Sequence, residues 1–291
     1  MDDLRPGEWL LPPPNLAVIV SEEGRVANLR SWFNRGKTRF FDAYPGYDIQ
    51  KEPIAIVGGG PSLNKTLPQL RKHKGPIMAC GSAHNTLRKR GIVPQFAVNL
   101  DPDKRMAEFF TEPSYDTIYL IASTSDPGLF DHFEHWGVKV LSFHATSEAE
   151  RSEFRGEDGI AGGTTVATRA WMVAWLMGYR KFVFFGVDSC FASTEEQNAD
   201  PNYPDKTPYY FKVRVIENDS NSEFLTSVQM AQQAKDFMSH YCWASAQSGV
   251  KIQVKGHSLT REYVRIYERH RDKYEQLDRE KIAAAAAQRA A

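Results

Sequence analysis

Four short segments of this chain set glycines, hydroxyls and carboxylates where an apolar run stops. Val57-Gly58-Gly59-Gly60-Pro61-Ser62-Leu63 closes the run that begins at Ile54. Glycine lets a backbone approach a ligand closely, and a helix beginning at Pro61 offers N–H groups to an anion, with the Ser62 hydroxyl beside them. That chemistry suits the phosphates of a nucleotide. No Gly-Lys-Ser/Thr follows, so this is not a Walker loop, and the glycines lack the spacing of the dinucleotide fingerprint. A plain strand-to-helix turn would use the same residues. Gly81 and Ser82 close the next apolar run in a similar way. Gly162-Gly163-Thr164-Thr165 is a second glycine-plus-hydroxyl helix start, able to take phosphate or the base and sugar of a nucleotide. In Gly186-Val187-Asp188-Ser189 a carboxylate at a strand end could orient a ligand or a neighbouring loop.

Asn99-Leu100-Asp101-Pro102-Asp103 brings two carboxylates and an amide to another strand end. Asp101 and Asp103 could hold Mg²⁺, accept hydrogen bonds from a ribose or a sugar, or act as a base. Equally, they could cap the next helix. His84 and His144, also near strand ends, are candidate general bases. Tyr203, Tyr209 and Tyr210 share a polar segment with Lys206, Lys212 and Arg214. Phenols and cations there could bind a leaving phosphate or stack on a ring, or the rings could pack on the surface.

The elements that must position these residues alternate. Continuous apolar runs at 54–57, 76–80, 96–100, 115–122, 138–143, 182–185 and 250–254 read as buried strands. Helical stretches fall between them, near 61–68, where Pro68 limits the helix to about two turns, and near 83–90, 131–136, 165–177 and 227–243. This is the pattern of a Rossmann-like α/β fold, a mostly parallel sheet with helices on both faces, whose ligands sit beyond the strands' carboxyl ends. Residues 1–50 read as an N-terminal extension with a helix over 28–41. Residues 51–258 form the nucleotide-binding core, and 192–222 is a lid loop too long for an idle connector. Residues 259–291 read as a charged, protruding C-terminal helix that frays. Arg261, Arg265 and Arg269 form one stripe on it, either solvated or in contact with an acidic partner or a second copy.

Composition narrows the function. Thirty-six Lys and Arg balance thirty-six Asp and Glu over 291 residues, which argues against a uniformly basic nucleic-acid binder while leaving room for a local anion site. Hydrophobic residues at 42% supply a sizeable core. No run approaches the roughly 20 apolar residues of a membrane span, and the acidic, proline-rich start is unlike a signal peptide. Cys80, Cys190 and Cys242 show neither zinc spacing nor even pairing, so reduced thiols in a cytoplasmic protein are expected.

Taken together, Ile56 to Leu63, Ala79 to Ala83 with Gly91-Ile92-Val93-Pro94 and Asn99 to Pro102, and Gly163 to Ala167 with Gly178-Tyr179 and Phe185 to Asp188 resemble the MptE-like domain family. That family is named for a 6-hydroxymethyl-dihydropterin diphosphokinase. The same domain is similar to the core of motility-associated flagellin glycosyltransferases and to a bacterial sialyltransferase family. The resemblance spans about residues 53–255. It implies a Rossmann-like fold holding a nucleotide over Gly58, Gly59, Gly60, Pro61 and Ser62, with Gly81, Ser82, Gly163, Thr164, Thr165 and Asp188 around it. Asp101, Asp103, His144, Tyr209 and Tyr210 are then the candidate catalytic residues.

The implied activity is a transferase with a nucleotide-linked donor, foremost a glycosyltransferase moving a sugar from a nucleotide-sugar to a glycan or small-molecule acceptor. The alternatives are an ATP-dependent diphosphokinase, with Mg²⁺ at Asp101 and Asp103, and a non-catalytic nucleotide-binding interaction protein. Two departures bear on the choice. The diphosphokinase pattern Leu-Asp-Gly reads Leu100-Asp101-Pro102 here, and its His-x-His-Gly-Asp segment reads Phe143 to Ser147. The histidine of the sialyltransferase lid helix has no counterpart in Ser222 to Met230.

Overall fold

A computed structural model describes residues 20–35, 38–46, 48–145, 151–204, 206–217, 220–274, 276–277 and 280. In chain order the strands are β1 (Ile54–Val57), β2 (Ile77–Cys80), β3 (Phe96–Asn99), β4 (Ile118–Ala122), β5 (Val140–Ala145), β6 (Gly159–Ile160), β7 (Lys181–Phe185), β8 (Phe211–Glu217), β9 (Ser220–Thr226) and β10 (Lys251–Val254). The helices are α1 (Glu22–Phe33), α2 (Phe40–Ala43), α3 (Ser62–Leu70), α4 (Ala83–Lys89), α5 (Pro127–Trp136), α6 (Val166–Leu176), α7 (Val228–Ser245) and α8 (Leu259–Arg269).

One eight-stranded sheet runs in the order β10-β7-β1-β2-β3-β4-β5-β6, and every pairing in it is parallel. The chain walks outward from β1 to β6, then returns to place β7 on the other side of β1. The switch point therefore lies between β1 and β7, where α/β folds open a crevice beyond the strand ends.

Strand residues are buried on both faces, and the period of two sorts them. Ile54, Ile56, Met78, Cys80, Phe96 and Val98 meet Trp171 of α6, Phe237 of α7 and Tyr263 of α8. Ala55, Val57, Ile77 and Ala79 meet Leu63 of α3 and Leu87 of α4. Ala97, Tyr119 and Ile121 meet Trp32 of α1 and Phe133 of α5. Phe184 and Phe237 cross edge to face at 5.0 Å, each essentially fully buried, and such burial contributes roughly 2 kcal/mol per ring.

Three expectations are corrected. The expected N-terminal helix begins earlier: Ser21 caps Glu22–Phe33 by accepting from the Gly24 N–H, with Glu22 and Glu23 in the first turn. The lid segment is not one loop, because its second half pairs as the antiparallel hairpin β8–β9, with Val213 and Phe224 buried against the core. The first turns of the C-terminal helix do not protrude: Leu259, Tyr263, Val264, Ile266 and Tyr267 are buried, so α8 lies on the sheet by its apolar face. The expectations for residues 1–19 and for the alanine-rich end from 281 fall outside the described residues. Among the described residues no helix is long and apolar enough to cross a membrane.

Candidate functional site

A cleft of about 310 Å³ opens at the switch point. Gly58, Gly59 and Gly60 line it from β1, Gly81 and Ser82 from β2, Asn99, Asp101 and Asp103 from β3, Thr165 from the start of α6, and Asp188 from the end of β7. These residues are far apart in sequence and share only their position at the carboxyl edge of a parallel sheet.

The glycine loop is packed too tightly for any side chain. A Cβ on Gly58 would sit 2.5 Å from the Gly186 carbonyl oxygen, and one on Gly60 would sit 2.5 Å from Asp188 Oδ2. The Gly58 and Gly60 N–H groups donate to Phe185 O and Gly186 O, both at 2.8 Å. At the start of α3 the Ser62 N–H donates to Asp188 Oδ2 at 2.7 Å, and its hydroxyl donates to Oδ1 at 2.6 Å. The helix start read as an anion site is thus already filled by the protein's own carboxylate. Burial pushes the Asp188 carboxyl up to about 6, against the lowering effect of the two Ser62 bonds. Pro61 and Ser62 stand behind the cleft wall rather than in it.

The start of α6 differs. Thr165 is its cap and accepts from the Thr168 N–H at 3.1 Å, while the Arg169 N–H closes on Thr165 O. Helix geometry leaves the N–H groups of Val166 and Ala167 unspent, and both residues line the cleft. Gly163 and Thr164 lie outside the lining. Gly163 accepts at its carbonyl from Arg169 Nη2 at 3.0 Å, and the Thr164 hydroxyl donates to Asp236 of α7. They fix the helix start from the side.

At β3, the Asn99 Nδ2 donates to Asp101 O at 2.8 Å and to Ser125 Oγ at 3.1 Å. That pair fixes the amide orientation, and the buried Asn99 Oδ1 is left without a hydrogen-bond partner. Asp103 is spent within the protein. It caps the 3-10 helix Lys104–Phe110, its Oδ1 accepting from the Arg105 N–H at 2.9 Å, and its Oδ2 accepts from the Arg105 guanidinium at 2.6 and 2.9 Å. The guanidinium holds the Asp103 carboxyl below its usual range. Asp101 Oδ1 accepts from the Asp103 N–H at 3.0 Å. A Mg²⁺ on this pair would have to compete with Arg105 for Asp103, whose two oxygens both accept from it. Among the described residues no three His, Cys, Asp or Glu side chains converge as metal ligands.

The remaining expected residues are dispersed. Tyr209 and Tyr210 are exposed, at 81% and 45%, and do not line the cleft. Tyr203 does, stacking on Phe109 at 5.8 Å. His144 is buried at the edge of the sheet, between Ser123 Oγ at 2.7 Å and Glu157 Oε2 at 3.0 Å. His84 is enclosed by Phe110 and Tyr119, and burial lowers it to about 4. The Cys80 and Cys190 thiols in the cleft wall are pushed by burial up to about 12, so neither is a thiolate near neutral pH.

Several cleft residues were not foreseen. Gln197 and Asn198 reach in from the segment after β7, where the Ala199 N–H donates to Gly59 O at 2.8 Å and Asn198 Nδ2 to Ser82 Oγ at 3.4 Å. Gln229, Gln233 and Phe237 enter from α7. Ser189, already singled out beside Asp188, holds a left-handed φ of 53°, pinned by Thr226 and Thr260, whose hydroxyls donate to its carbonyl and hydroxyl oxygens. An excess of amides in a polar segment was the one available signal.

A glycine-floored crevice at the switch point of an all-parallel sheet is the architecture of a Rossmann-like domain. The sequence profile of the family described as 6-hydroxymethylpterin diphosphokinase MptE-like matches residues 25–194, more than half of the chain, which therefore belongs to this family. The resemblance carried by the glycine and aspartate segments is borne out. An uncharacterized protein of Treponema pallidum (strain Nichols) is 35% identical over 65 residues, 22% of this chain and 30% of that protein. The solved MAf glycosyltransferase from Magnetospirillum magneticum AMB-1 superposes with a TM-score of 0.56 at 20% identity, over 84% of this chain and 39% of that one. At that identity the likeness is one of fold. In both comparisons the chain spans well under half of the other protein's length.

Proposed function

We propose that this chain is a transferase with a nucleotide-linked donor, and that the group it moves is a sugar. The observation that carries the reading is the meeting, in one cleft, of an unfilled helix start at Val166 and Ala167 with the Asp101 carboxylate. The first suits a phosphate, and the second suits a hydroxyl of the sugar or of the acceptor. The glycine floor gives the ligand close backbone approach, and Tyr203 with Phe109 offers a ring to stack on. In the transfer, the bond from sugar to phosphate oxygen breaks and the nucleotide leaves with that oxygen. The acceptor oxygen bonds to the sugar, and its proton passes to Asp101 at the cleft edge.

The family's name favours a second reading, diphosphate transfer from ATP to a hydroxymethyl group. The bonds between Asp103 and Arg105 weigh against it, because that chemistry leans on Mg²⁺ and one of the two carboxylates is already engaged. A thermal-shift series with ATP and with CMP-, UDP- and GDP-sugars, each with and without Mg²⁺, separates the readings. Stabilisation by one nucleotide-sugar and not by ATP is expected. Stabilisation by ATP with Mg²⁺ alone would replace the first reading with the second. No shift with any nucleotide would sink both, and binding without turnover would leave an interaction protein.

A further inference from the structure

Most amides and carboxylates of the cleft are already committed to the protein. Gln197 Nε2 donates to Thr194 O at 3.0 Å and to Thr207 O at 2.8 Å, and its Oε1 accepts from the Thr207 N–H at 2.8 Å. Asn198 Oδ1 accepts from the Asp200 N–H at 2.9 Å, and its Nδ2 turns to Ser82. The segment that carries them is pinned from behind. Arg90 Nη2 donates to Ala199 O at 2.9 Å, and Lys89 pairs with Asp200 at 2.7 Å. Asp103 and Asp188 are held by Arg105 and Ser62.

Gln229 and Gln233 are different. Both line the cleft, and neither side chain makes a hydrogen bond among the described residues. Gln229 is exposed and Gln233 half-buried, so both carboxamides can be reached. They stand four residues apart on α7, on one face and about 6 Å apart along its axis. Just beyond Gln233, Asp236 accepts from Gln232 Nε2 at 3.0 Å and from the Thr164 hydroxyl. That tie sets the start of α6 against this stretch of α7. A phosphate on the Val166 and Ala167 N–H groups therefore has Gln233 beside it, and Gln229 one turn further out.

The chemistry of the pair limits what it can read. Each carboxamide offers two N–H donors and a carbonyl acceptor, and neither carries charge. A sugar hydroxyl both donates and accepts, so an amide discriminates poorly among hydroxyls. A nucleobase edge sets fixed donors and acceptors side by side, and glutamine pairs with such an edge through both its atoms. A wrong base leaves those amides unpaired, which is where discrimination arises. We infer that Gln229 and Gln233 read the hydrogen-bonding edge of the donor's nucleobase and so determine which nucleotide the cleft accepts. This assignment rests on the reading of the cleft as a nucleotide site.

Calorimetric titration of the full chain with AMP, CMP, GMP and UMP tests it, because these probes share one phosphate and differ in the base. One of the four should bind at least about tenfold more tightly than the weakest. In Gln229→Ala/Gln233→Ala the affinity for that nucleotide should fall about tenfold, while the weakest binder changes less than about twofold, so the preference flattens. Alanine is the best helix former, so the melting temperature should hold. If the double variant does not fold, Gln229→Ala alone, at the exposed position, should show the same flattening in smaller degree. Equal binding of all four by the unaltered chain, an unchanged preference in the variant, or an equal loss for every base overturns the inference and leaves the nucleotide site standing. Binding of none of the four also overturns it, and the thermal shifts with nucleotide-sugars then decide whether the reading of the cleft falls with it.

Discussion

Two helices begin at the cleft, α3 and α6, and they use their free N–H groups differently. At α3 the Ser62 N–H and hydroxyl are both consumed by the buried Asp188. At α6 the cap is a neutral threonine, and the N–H groups of Val166 and Ala167 remain. The first start is structural, because its internal anion ties β7 to β1 under the glycine floor. The second is available to a ligand's anion. A glycine loop ahead of a helix is therefore not enough to locate a phosphate site; what matters is whether the protein has already supplied the anion.

The most damaging way to break this arrangement is to crowd its floor. Gly60→Ala places a methyl 2.5 Å from Asp188 Oδ2 and 2.7 Å from Gly186 O, and neither neighbour is a free chain end. A loss of about 3 kcal/mol or more is expected in urea unfolding, together with loss of nucleotide binding. Stability equal to the unaltered chain would mean the loop is not held by Asp188.

Asp188→Ala strands the buried Ser62 N–H and hydroxyl and should cost about 3 kcal/mol. Asp188→Asn keeps an acceptor for the N–H and should cost less, but it changes the pH response. Burial raises the Asp188 carboxyl from its usual 3.8 to about 6, so the folded chain holds this proton more tightly than the unfolded chain. The contribution of Asp188 is therefore largest below pH 3.8 and is lost as pH rises through 6. Unfolding free energies measured across that window should slope downward in the unaltered chain and lose that component in Asp188→Asn. An identical slope in both proteins would show that another group titrates.

Thr165→Asp sharpens the comparison, because it gives α6 the internal anion that α3 already has. Aspartate caps a helix as well as threonine does, so the melting temperature should hold. The affinity for the nucleotide ligand found by thermal shift should fall about tenfold or more in calorimetric titration, which corresponds to about 1.4 kcal/mol. Unchanged affinity would place the phosphate elsewhere.

The sheet was readable in the sequence because its strands are buried on both faces, so Ile54–Val57, Ile77–Cys80 and Lys181–Phe185 are nearly unbroken apolar runs. The strand-end positions of Gly58, Gly81, Asp101 and Asp188 followed from that topology. The division of labour between α3 and α6 was not readable. It depends on a contact between Ser62 and Asp188, 126 positions apart, and local composition carries no information about such a pairing. Asp103 is similar: an aspartate before a helix suits a cap, a base or a metal equally, and the position of the Arg105 guanidinium decides among them. The hairpin did carry a signal, the period-two alternation Phe211-Lys212-Val213-Arg214-Val215, but it is short and lies in a polar segment whose composition reads as a loop.

The smallest expected effect concerns the tyrosines. Tyr203 stacks on Phe109 in the cleft wall, while Tyr209 and Tyr210 point to solvent outside it. Tyr203→Ala should weaken nucleotide binding several-fold, about 1 kcal/mol, the low end of what an aromatic stacking partner contributes. Tyr209→Phe and Tyr210→Phe should change binding by less than about 0.5 kcal/mol, roughly twofold, as exposed substitutions do. Turnover provides the sharper test. If the segment stays as it is while the reaction proceeds, kcat is also unchanged in the two phenylalanine variants. A fall in kcat with binding intact would mean that the segment carrying Tyr209 and Tyr210 swings over the cleft during the reaction, and that their phenols reach the leaving phosphate only then.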